Sequence, residues 1–422
     1  MGFLYDIGIL LYFFGARVAG LFSRKAALFV SGRRNLMHTI TEKLKDRNGR
    51  ESVWFHCSSV GEFEQARPLI ERLKRCDPDK YIVLTFFSPS GYELRKNYPY
   101  ADAVFYLPMD TKRNVRRFLD AVSPRIAIFV KYEFWYNYLI GLHKKGVRTY
   151  IVSAIFRPGQ MFFHWCGFFM RRALRTYITL FVQNEESRRL LAGIGIDNVV
   201  IAGDTRFDQV DAVCRHNDIH NDVMNSFIGS GRVWIAGSTW EEDECVISKA
   251  FSSVKGGKLI LVPHEVEASR IKRIREIFSD FSILVYSECS GRAREVYRNA
   301  AEAADVLIVD TVGMLSRIYK YGAFAYVGGG FSGSGIHNIL EAAIYGCPVI
   351  FGPNYRKFQE ARDLISLGGA FSISSSGELS AILEKWLGTP QLLERPSLIC
   401  TQYVESHLGA SDKIMEHIFK NV

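Results

Sequence analysis

Paired cysteines and sequence repeats are absent from this sequence. Its eight cysteines are scattered, and no two of them have the C-x-x-C spacing of many zinc sites. This pattern argues against a zinc site and against a disulfide framework, and it fits a reducing compartment. No short-period repeat or low-complexity tract occurs. The apolar N-terminus is not followed by a small-residue cleavage site and a polar mature start, so a secretory signal peptide is not expected.

A globular composition with an excess of positive charge is present instead. Hydrophobic residues make up 48% of the 422 residues and charged residues 23%, which is typical of a folded protein. The chain is too long for one ordinary core, so we expect two domains. The net charge of +9 and the pI near 9.0 predict an anionic partner, which is a nucleic acid, a phospholipid or a phosphorylated substrate.

The N-terminal segment 2–22, GFLYDIGILLYFFGARVAGLF, is about as long as a membrane span. It contains Asp6 and Arg17, and more basic residues follow it, namely Arg24, Lys25, Arg33 and Arg34. Apolar residues ahead of a cationic flank are typical of a helix that lies on, or is anchored in, an anionic leaflet, with the basic side cytoplasmic. The alternative is a buried first helix that packs on the domain.

A second apolar block lies in the segment 159–177, GQMFFHWCGFFMRRALRTY. It places apolar residues directly before three arginines: Phe162, Phe163, Trp165, Phe168, Phe169 and Met170 before Arg171, Arg172 and Arg175. If exposed, this block is a lipid or membrane site. A nucleic-acid groove normally interleaves its aromatic residues with its cations, so the block disfavours nucleic acid. The alternative is a core helix with a charged end.

The rest of the chain alternates between apolar strands and amphipathic helices. Segments such as SVWFHCSSV, RIAIFVKYEFW and AFAYVGGG read as strands, and the alternation predicts parallel sheets with crossover helices. It restarts after a polar stretch near residue 210. We therefore expect a membrane-associated helical segment 1–45, a Rossmann-like domain 46–210 and a second one 211–422. Ligands of such sheets bind at the carboxyl ends of the strands.

Five glycines lie between Gly328 and Gly335, between a predicted strand and the predicted helix IHNILEAAIYG. A strand-to-helix loop of this kind predicts a phosphate site, and the alternative is a structural turn without a ligand. The loop does not match the Walker motif, and its G-x-G-x-x-G spacing lacks the context of a dinucleotide site. Glu341, near the start of the predicted helix, can accept hydrogen bonds from ribose hydroxyls. Its alternative role is favourable placement near a helix dipole.

Ten short motifs, in order along the chain, resemble those of the bacterial 3-deoxy-D-manno-octulosonic acid (Kdo) transferases of lipid A biosynthesis. The resemblance extends from about residue 50 to beyond residue 350. The motifs are SSVGEFEQA, YLPMD, EFWYN, FVQNEES, AGDTRFD, WIAGST, LILVPHE, DTVGML, GGGFSGSGIHNILEAA and PVIFGP.

The resemblance implies a GT-B fold, in which two Rossmann-like, doubly wound α/β domains face each other across a cleft. It implies CMP-Kdo as the donor and a lipid A precursor as the acceptor. It also implies an enzyme at the cytoplasmic face of the bacterial inner membrane. An inverting displacement of this kind needs no Asp-x-Asp metal motif, so no metal or other cofactor is expected. The resemblance also implies no nucleic-acid partner.

The resemblance makes Glu62 the catalytic base. A glycosyl transfer needs a base that takes the proton of the attacking hydroxyl. Glu62 follows Gly61 at a predicted strand-to-helix turn, which Ser58 and Ser59 also line. The alternative is an ordinary glutamate at a helix start.

The donor side is implied by the later motifs, whose residues end the strands of the second domain. A cation at Arg206, where the family usually has lysine, is expected to contact a phosphate or the sugar carboxylate. The predicted donor-binding residues are Gly237, Ser238, Thr239, Pro263, His264, Asp310, Thr311, Gly313, Ser332, Ser334, Gly335, Asn338 and Glu341.

Two departures from the family pattern concern the acceptor side. Lys131 stands where the family tends to have an acidic residue, two positions before Glu133. Arg157, in SAIFRP, is slightly displaced from the arginine of the usual Asn-Ala-Arg motif. Glu133 and Arg157 remain candidates for the acceptor side, and an acidic role at position 131 is not carried over.

Two other functions stay open from the sequence. The nearer is a GT-B transferase of lipid-linked sugars that uses a UDP-sugar. The farther is a non-catalytic protein that binds a membrane surface.

Overall fold

Two parallel β-sheets organise the computed structural model, which describes residues 2–215, 221–229 and 231–420. The chain divides into two units, one of residues 1–209 with 408–422 and the other of residues 210–407. Each unit contains one seven-stranded sheet. The predicted α/β class, with two doubly wound halves, is confirmed.

The first sheet has the strand order β3-β2-β1-β4-β5-β6-β7, and all its neighbours are parallel. In register, Ser52 of the first strand lies opposite Tyr81 on one side, and Val53 lies opposite Ile126 on the other. Its strands are β1 Ser52–Cys57, β2 Tyr81–Phe86, β3 Ala103–Tyr106, β4 Pro124–Val130, β5 Arg148–Ala154, β6 Thr179–Val182 and β7 Val199–Ile201.

The second sheet has the strand order β10-β11-β9-β8-β12-β13-β14, again with parallel neighbours. Its strands are β8 Val233–Thr239, β9 Lys258–Pro263, β10 Ile283–Val285, β11 Val306–Ile308, β12 Ala325–Val327, β13 Val349–Phe351 and β14 Ala370–Ser372.

Helices connect the strands and cover both faces of each sheet. Short 3₁₀ turns lie at Leu44–Arg47, Met161–Phe163, Trp165–Gly167, Tyr319–Tyr321 and Pro390–Leu393. The helices are α1 Gly2–Ala19, α2 Arg24–Ser31, α3 Leu36–Lys43, α4 Val60–Cys76, α5 Pro89–Arg95, α6 Lys112–Val122, α7 Tyr136–Lys144, α8 Phe168–Leu174, α9 Glu185–Ala192, α10 Arg206–Arg215, α11 Asp222–Ile228, α12 Glu241–Ser252, α13 Ala268–Ile277, α14 Tyr286–Cys289, α15 Arg294–Ala303, α16 Leu315–Ile318, α17 Leu340–Ala343, α18 Gln359–Leu367, α19 Ser376–Gly388, α20 Glu394–Ser406 and α21 Ala410–Phe419.

The order of the strands reverses once in each sheet. In the first sheet the chain moves outward from β1 to β3 and returns to place β4 beside β1. In the second sheet the same reversal places β12 beside β8. Every residue of β1 and β2 is buried, as expected for strands covered on both faces. The carboxyl ends at a reversal are where such sheets bind ligands.

The last helix, α21, packs on the first unit, whereas the sequence analysis assigned residues 211–422 to the second domain. Its apolar residues Ile414, Met415 and Ile418 join the core beneath β1 and β4. Both carboxylate oxygens of Asp208 accept backbone N–H groups at its start, from Gly409 at 2.7 Å and from Ser411 at 2.6 Å. The sequence-based boundary is therefore wrong for the last fifteen residues, 408–422.

The N-terminal segment forms helix α1, which is held at its beginning by polar contacts. The Tyr5 hydroxyl donates to Asp110 Oδ2 at 2.6 Å, and Asn137 Nδ2 donates to Asp6 Oδ1 at 2.7 Å. Further along, the side chains of Leu11 and Phe14 are exposed. No helix among the described residues is both long enough and apolar enough to cross a membrane.

The aromatic block of segment 159–177 divides between core and surface. Phe162 is only 6% exposed and packs against Phe134 and Phe156, so the prediction that it lies on the lipid-facing surface is wrong. The physical reason is that two 3₁₀ turns precede the short helix α8 and fold this ring inward. Trp165 and Phe168, in contrast, are 91% and 55% exposed.

The partly buried Phe169 connects this block to helix α1 through Tyr136. The ring centroid of Phe169 lies 6.1 Å from that of Tyr136, which lies 5.6 Å from that of Tyr5.

Candidate active site

Glu62 lies at the reversal of the first sheet, directly after β1. Ser58 and Ser59 form the turn, α4 begins at Val60, and Glu62 is in the first helical turn, where a negative charge is favoured. The spacing of Ser59 and Glu62 is that of a capping box. The Ser59 hydroxyl does not cap the helix, however, and instead donates to Glu62 Oε2. The half-buried carboxylate is thus oriented by a neighbouring side chain at the ligand-binding edge.

A buried polar group supports this turn from below. His56 Nε2 lies 3.0 Å from Glu133 Oε2, and the Trp135 indole N–H donates to the same oxygen at 2.5 Å. On its other side, His56 Nδ1 lies 2.9 Å from Thr85 Oγ1. Burial alone raises the pKa of Glu133, but the hydrogen bonds from His56, Ser58 and Trp135 outweigh it and hold that pKa below its usual value.

Glu133 is therefore a buried charge, only 5% exposed, whose carboxylate is hydrogen-bonded to neighbouring side chains. It lies beneath the turn that carries Ser58, and its predicted place on the acceptor side stays a prediction. The sequence analysis did not single out His56 or Trp135. The signal for them was present, because a histidine inside the apolar strand SVWFHC needs a buried partner.

Cationic side chains lie beside Glu62 at the same edge. The guanidinium of Arg206 donates to Asp204 at 2.9 and 2.8 Å, and Gln65 Nε2 donates to the other oxygen of Asp204 at 2.9 Å. Burial raises the pKa of Asp204, and Arg206 outweighs this effect and lowers it. Arg157 is exposed after β5.

Tyr132 marks the common neighbourhood of these charges. Its pKa is raised by burial and by the carboxylates of Glu62 and Asp204, while Arg157 and Arg206 act to lower it. The charges of both predicted arginines and of the predicted base thus affect the pKa of the same phenol, Tyr132. Lys131, next to it, has a left-handed backbone with φ of 66° and places its ammonium 5.5 Å from the Tyr132 ring.

The glycine loop lies at the reversal of the second sheet, between β12 and α17. Two of its glycines are required by backbone packing, because a Cβ at Gly328 would lie 2.3 Å from the Ser238 carbonyl oxygen and one at Gly330 would lie 2.5 Å from the Gly352 nitrogen. Gly329 donates its N–H to Asp243 Oδ2 at 2.8 Å. The first half of the loop is therefore a structural turn.

Asp243 is a buried residue of α12 that sequence reasoning missed. Its carboxylate also accepts the Tyr326 hydroxyl at 2.8 Å and the Trp240 backbone N–H at 3.0 Å. Burial raises its pKa, against the effect of these hydrogen bonds. No local signal marks this role, because Asp243 precedes the loop by 86 residues.

The second half of the glycine loop is open. Gly333 and Ser334 are exposed, and a Cβ at Gly333 would meet nothing within 4 Å. The Ser332 and Ser334 hydroxyl oxygens lie 2.6 Å apart. Gly335 has φ of 88°, and a Cβ there would lie 2.8 Å from the Phe358 ring, so this glycine is also fixed by packing.

The helix predicted after the glycine loop is shorter than expected. It is the single turn α17, Leu340–Ala343, and Asn338 Oδ1 accepts the Leu340 N–H at its start at 3.2 Å. Glu341 lies in this turn and accepts a hydrogen bond from Asn338 Nδ2 at 3.1 Å. The prediction of a longer helix is wrong, because Gly346, with φ of 70°, closes the chain back toward β13 almost at once.

Three aromatic side chains stack beside the loop. The ring centroid of His264 lies 4.6 Å from that of Trp240 and 4.4 Å from that of His337, and Trp240 Nε1 donates to His337 Nε2 at 3.1 Å. Burial and the neighbouring His264 lower the pKa of His337 to about 4. Burial lowers the pKa of His264 as well. Both imidazoles are therefore neutral at neutral pH.

The other predicted donor residues lie at the same edge of the second sheet. Gly237 is fixed by packing, since a Cβ would lie 2.1 Å from the Tyr319 hydroxyl, and Thr239 Oγ1 donates to the buried Glu244 at 2.9 Å. Burial raises the pKa of Glu244 to about 7, although Arg270 donates to it. Asp310 accepts the Ser287 hydroxyl at 2.5 Å. Thr311 and Gly313, which follow Asp310, are exposed. Pro263 is the last residue of β9. Ser238 has a left-handed backbone with φ of 54°.

Metal ligands do not cluster in residues 2–215, 221–229 and 231–420. No three His, Cys, Asp or Glu side chains converge there in a way that holds a metal ion.

Solved structures define the class of this fold. The chain is similar to the UDP-GlcNAc 2-epimerase of Neisseria meningitidis bound to UDP-GlcNAc, with a TM-score of 0.62 and 14% identity over 88% of this chain and all of that one. It is also similar to MurG of Acinetobacter baumannii, with a TM-score of 0.55 and 10% identity over 88% of this chain and 99% of that one. At these identities the likeness shows the fold alone, which is GT-B.

Sequence comparison then shows which proteins this chain is similar to. Residues 33–209 match the family model of 3-deoxy-D-manno-octulosonic-acid transferase (kdotransferase). The chain is 28% identical to the Aquifex aeolicus 3-deoxy-D-manno-octulosonic acid transferase, over 82% of this chain and 88% of that protein. It is 25% identical to the Haemophilus influenzae transferase, over 87% and 86%. Most of the chain is thus similar to Kdo transferases, and these homologues support a glycosyltransferase.

The lowered pKa of His337 predicts a stability that depends on pH. In the unfolded chain His337 has its ordinary pKa of 6.5. At a pH between about 4 and 6.5, unfolding therefore takes up a proton. The contribution of the neutral imidazole is complete above pH 6.5 and is lost as the pH falls. Because His337 is partly exposed, we expect a loss of about 1 kcal/mol at pH 5.

Urea unfolding at pH 7.5 and pH 5 measures this effect. The difference in unfolding free energy between the two pH values should be smaller in His337→Asn than in the wild type by that amount. A variant whose stability falls in parallel with the wild type contradicts the assignment.

Proposed function

We propose that this enzyme transfers Kdo from CMP-Kdo to a lipid A precursor of the lipid IVA type, in the biosynthesis of the lipopolysaccharide core. The observation that carries the proposal is the position of Glu62, which a neighbouring serine orients at the carboxyl edge of a sheet, in the part of the chain that matches the Kdo transferase family model. The direct assay combines the purified protein, CMP-Kdo generated in situ and a tetraacylated precursor, with mass spectrometry of the product.

In the proposed reaction, Glu62 is the general base. A sugar hydroxyl of the acceptor attacks the anomeric carbon of Kdo, and its proton passes to the Glu62 carboxylate as CMP departs, with inversion. The Ser59 hydroxyl holds the carboxylate in place. Arg157 and Arg206, which share the surroundings of Tyr132 with Glu62, supply positive charge for an anionic group of the substrates.

The proposed donor site is the carboxyl edge of the second sheet. The open half of the glycine loop, with Ser332, Gly333 and Ser334, offers hydroxyl and N–H groups to the phosphate. Glu341 accepts from the ribose hydroxyls. The exposed turn at Thr311–Gly313 offers backbone groups to the edge of the cytosine.

We further propose that the first unit docks on the cytoplasmic face of the inner membrane. The exposed Leu11 and Phe14 of α1 and the exposed Trp165 and Phe168 form the apolar contact. Removing a lipid acceptor from a bilayer costs about 0.8 kcal/mol for each exposed CH₂ group, so the enzyme has to come to the lipid. Arg172 and Arg175, exposed beside the aromatic block, suit anionic headgroups.

Glu62→Gln tests the catalytic base. We expect transfer to slow by about 10²-fold or more, because the amide cannot take a proton, while CMP still raises the melting temperature as in the wild type. Glu64→Gln on the same helix is the matched control, and losing its partly buried ion pairs with Arg67 and Arg95 should leave the rate unchanged. Near-normal turnover by Glu62→Gln removes this residue from the role.

Gly333→Val tests the phosphate site. A Cβ at Gly333 meets no atom within 4 Å, so we expect the fold to be kept, while the valine side chain crowds the hydroxyls that we assign to the phosphate. We expect the Kd for CMP to rise by about tenfold or more, which is about 1.4 kcal/mol. Gly335 is unsuited to this test, because its positive φ and the Phe358 ring strain any substitution.

Gly159→Val is the matched control, since a Cβ there also meets nothing within 4 Å. Unchanged CMP binding by Gly333→Val means that the whole glycine loop is structural. A wild-type protein that UDP stabilises against heat, and CMP does not, is instead a transferase that uses a UDP-sugar.

The double change Trp165→Ser with Phe168→Ser tests the membrane contact. Burying one large apolar side chain is worth about 1.5–3 kcal/mol, so partitioning onto anionic liposomes should fall by at least about tenfold. Leu392→Ser with Leu398→Ser removes two other exposed apolar side chains, on the second unit, and should change nothing. Liposome binding that survives the first double change assigns the contact to α1 alone.

A further inference from the structure

An apolar groove runs beside helix α1 in the first unit. Helices α1 and α2 and the start of α5 enclose a cavity of about 510 Å³. On the α1 side it is lined by small residues, among them Gly15, Ala16 and Ala19, and the opposite walls include the rings of Phe29 and Phe87. The small side chains leave a channel between helix and rings that no side chain of the described chain fills.

One end of the groove adjoins the turn that carries Glu62. Ser88, which lines the groove, donates its backbone N–H to the Ser58 carbonyl oxygen at 2.8 Å. The Phe87 ring, also in the wall, lies 4.7 Å from the ring of Trp135, which donates to Glu133 beneath that turn. The wall of the groove is therefore joined by direct contacts to the turn that carries Glu62.

The other end of the groove lies at the turn between α1 and α2. Ser23 and Lys25 line the cavity there, and the preceding residues Leu21 and Phe22 are strongly exposed. These two side chains suit the apolar interior of a membrane, and Lys25 suits an anionic headgroup. The groove thus connects a surface suited to lipid with the edge that holds the proposed base.

We propose that this groove binds one acyl chain of the glycolipid acceptor. The inference rests on the proposed function, because only an acceptor that reacts near Glu62 and carries a hydrocarbon chain uses both ends of the groove. A methylene is about as large as a water molecule, roughly 30 Å³, so the cavity has room for a chain of about a dozen methylenes or more. Each buried methylene raises affinity by about fourfold, which makes the groove a determinant of acceptor recognition.

Gly15→Leu tests the acyl groove. Gly15 lines the cavity from within helix α1, and a Cβ at this position would meet nothing within 4 Å, so leucine fills the groove without straining the fold. Gly8→Leu is the matched control, because Gly8 is an exposed glycine of the same helix with the same open surroundings and does not line the groove. Both changes make α1 equally more apolar.

The assay compares a tetraacylated acceptor with the same acceptor after complete deacylation, in steady-state transfer with CMP-Kdo. We expect Gly15→Leu to raise the KM for the acylated acceptor by about tenfold or more, and to leave the KM for the deacylated one unchanged. Gly8→Leu should match the wild type on both. Equal behaviour of the two variants, or a KM that rises equally on both acceptors, overturns the acyl groove.

Direct binding of a fluorescent twelve-carbon fatty acid separates this inference from the proposed function. If the wild type transfers Kdo to neither acceptor, the proposed function fails. The inference that the groove binds an acyl chain is then still supported if the wild type and Gly8→Leu bind the probe and Gly15→Leu binds it at least about tenfold more weakly. It falls where all three bind the probe equally.

Discussion

The reversal of strand order, between β1 and β4 and again between β8 and β12, is the constraint on which the candidate sites depend. The helices that follow β1 and β4 cover opposite faces of the first sheet, since Phe63 of α4 joins one core and Leu139 of α7 the other. The carboxyl ends between them are left uncovered. Glu62 follows β1 directly, and the glycine loop follows β12 directly. The two candidates are therefore placed by topology before any side-chain contact is considered.

The sequence predicted this topology well, because strand and helix periodicity are local signals. It could not predict how the glycines divide between packing and binding. Gly328 and Gly330 are needed because the backbones of Ser238 and Gly352 pass close to them, and Asp243 takes an N–H that the loop would otherwise offer to an anion. These partners are remote in sequence. The first half of the glycine loop is thus a structural turn, and its second half is exposed.

Buried charge explains the other differences between expectation and structure. A carboxylate without water needs several hydrogen bonds, and Glu133 finds them in His56 and Trp135. It therefore supports the turn of Ser58. Asp208 is only partly buried, but its two hydrogen bonds to the start of α21 likewise bring the end of the chain back to the first unit. Such pairings join residues far apart in the chain, and composition does not reveal them.

Asp110 links helix α1 to the edge that carries Glu62, again through hydrogen bonds to a buried carboxyl group. Burial raises its pKa to about 6, and the Tyr5 hydroxyl of α1 and the N–H groups of Asn137 and Tyr138 satisfy its oxygens. One carboxyl group thereby caps helix α7 and holds the beginning of α1. Helix α7 begins directly after Trp135, which belongs to the floor beneath Glu62. The beginning of α1 is thus fixed relative to the proposed base, as our proposal of an acceptor that stays in the membrane requires.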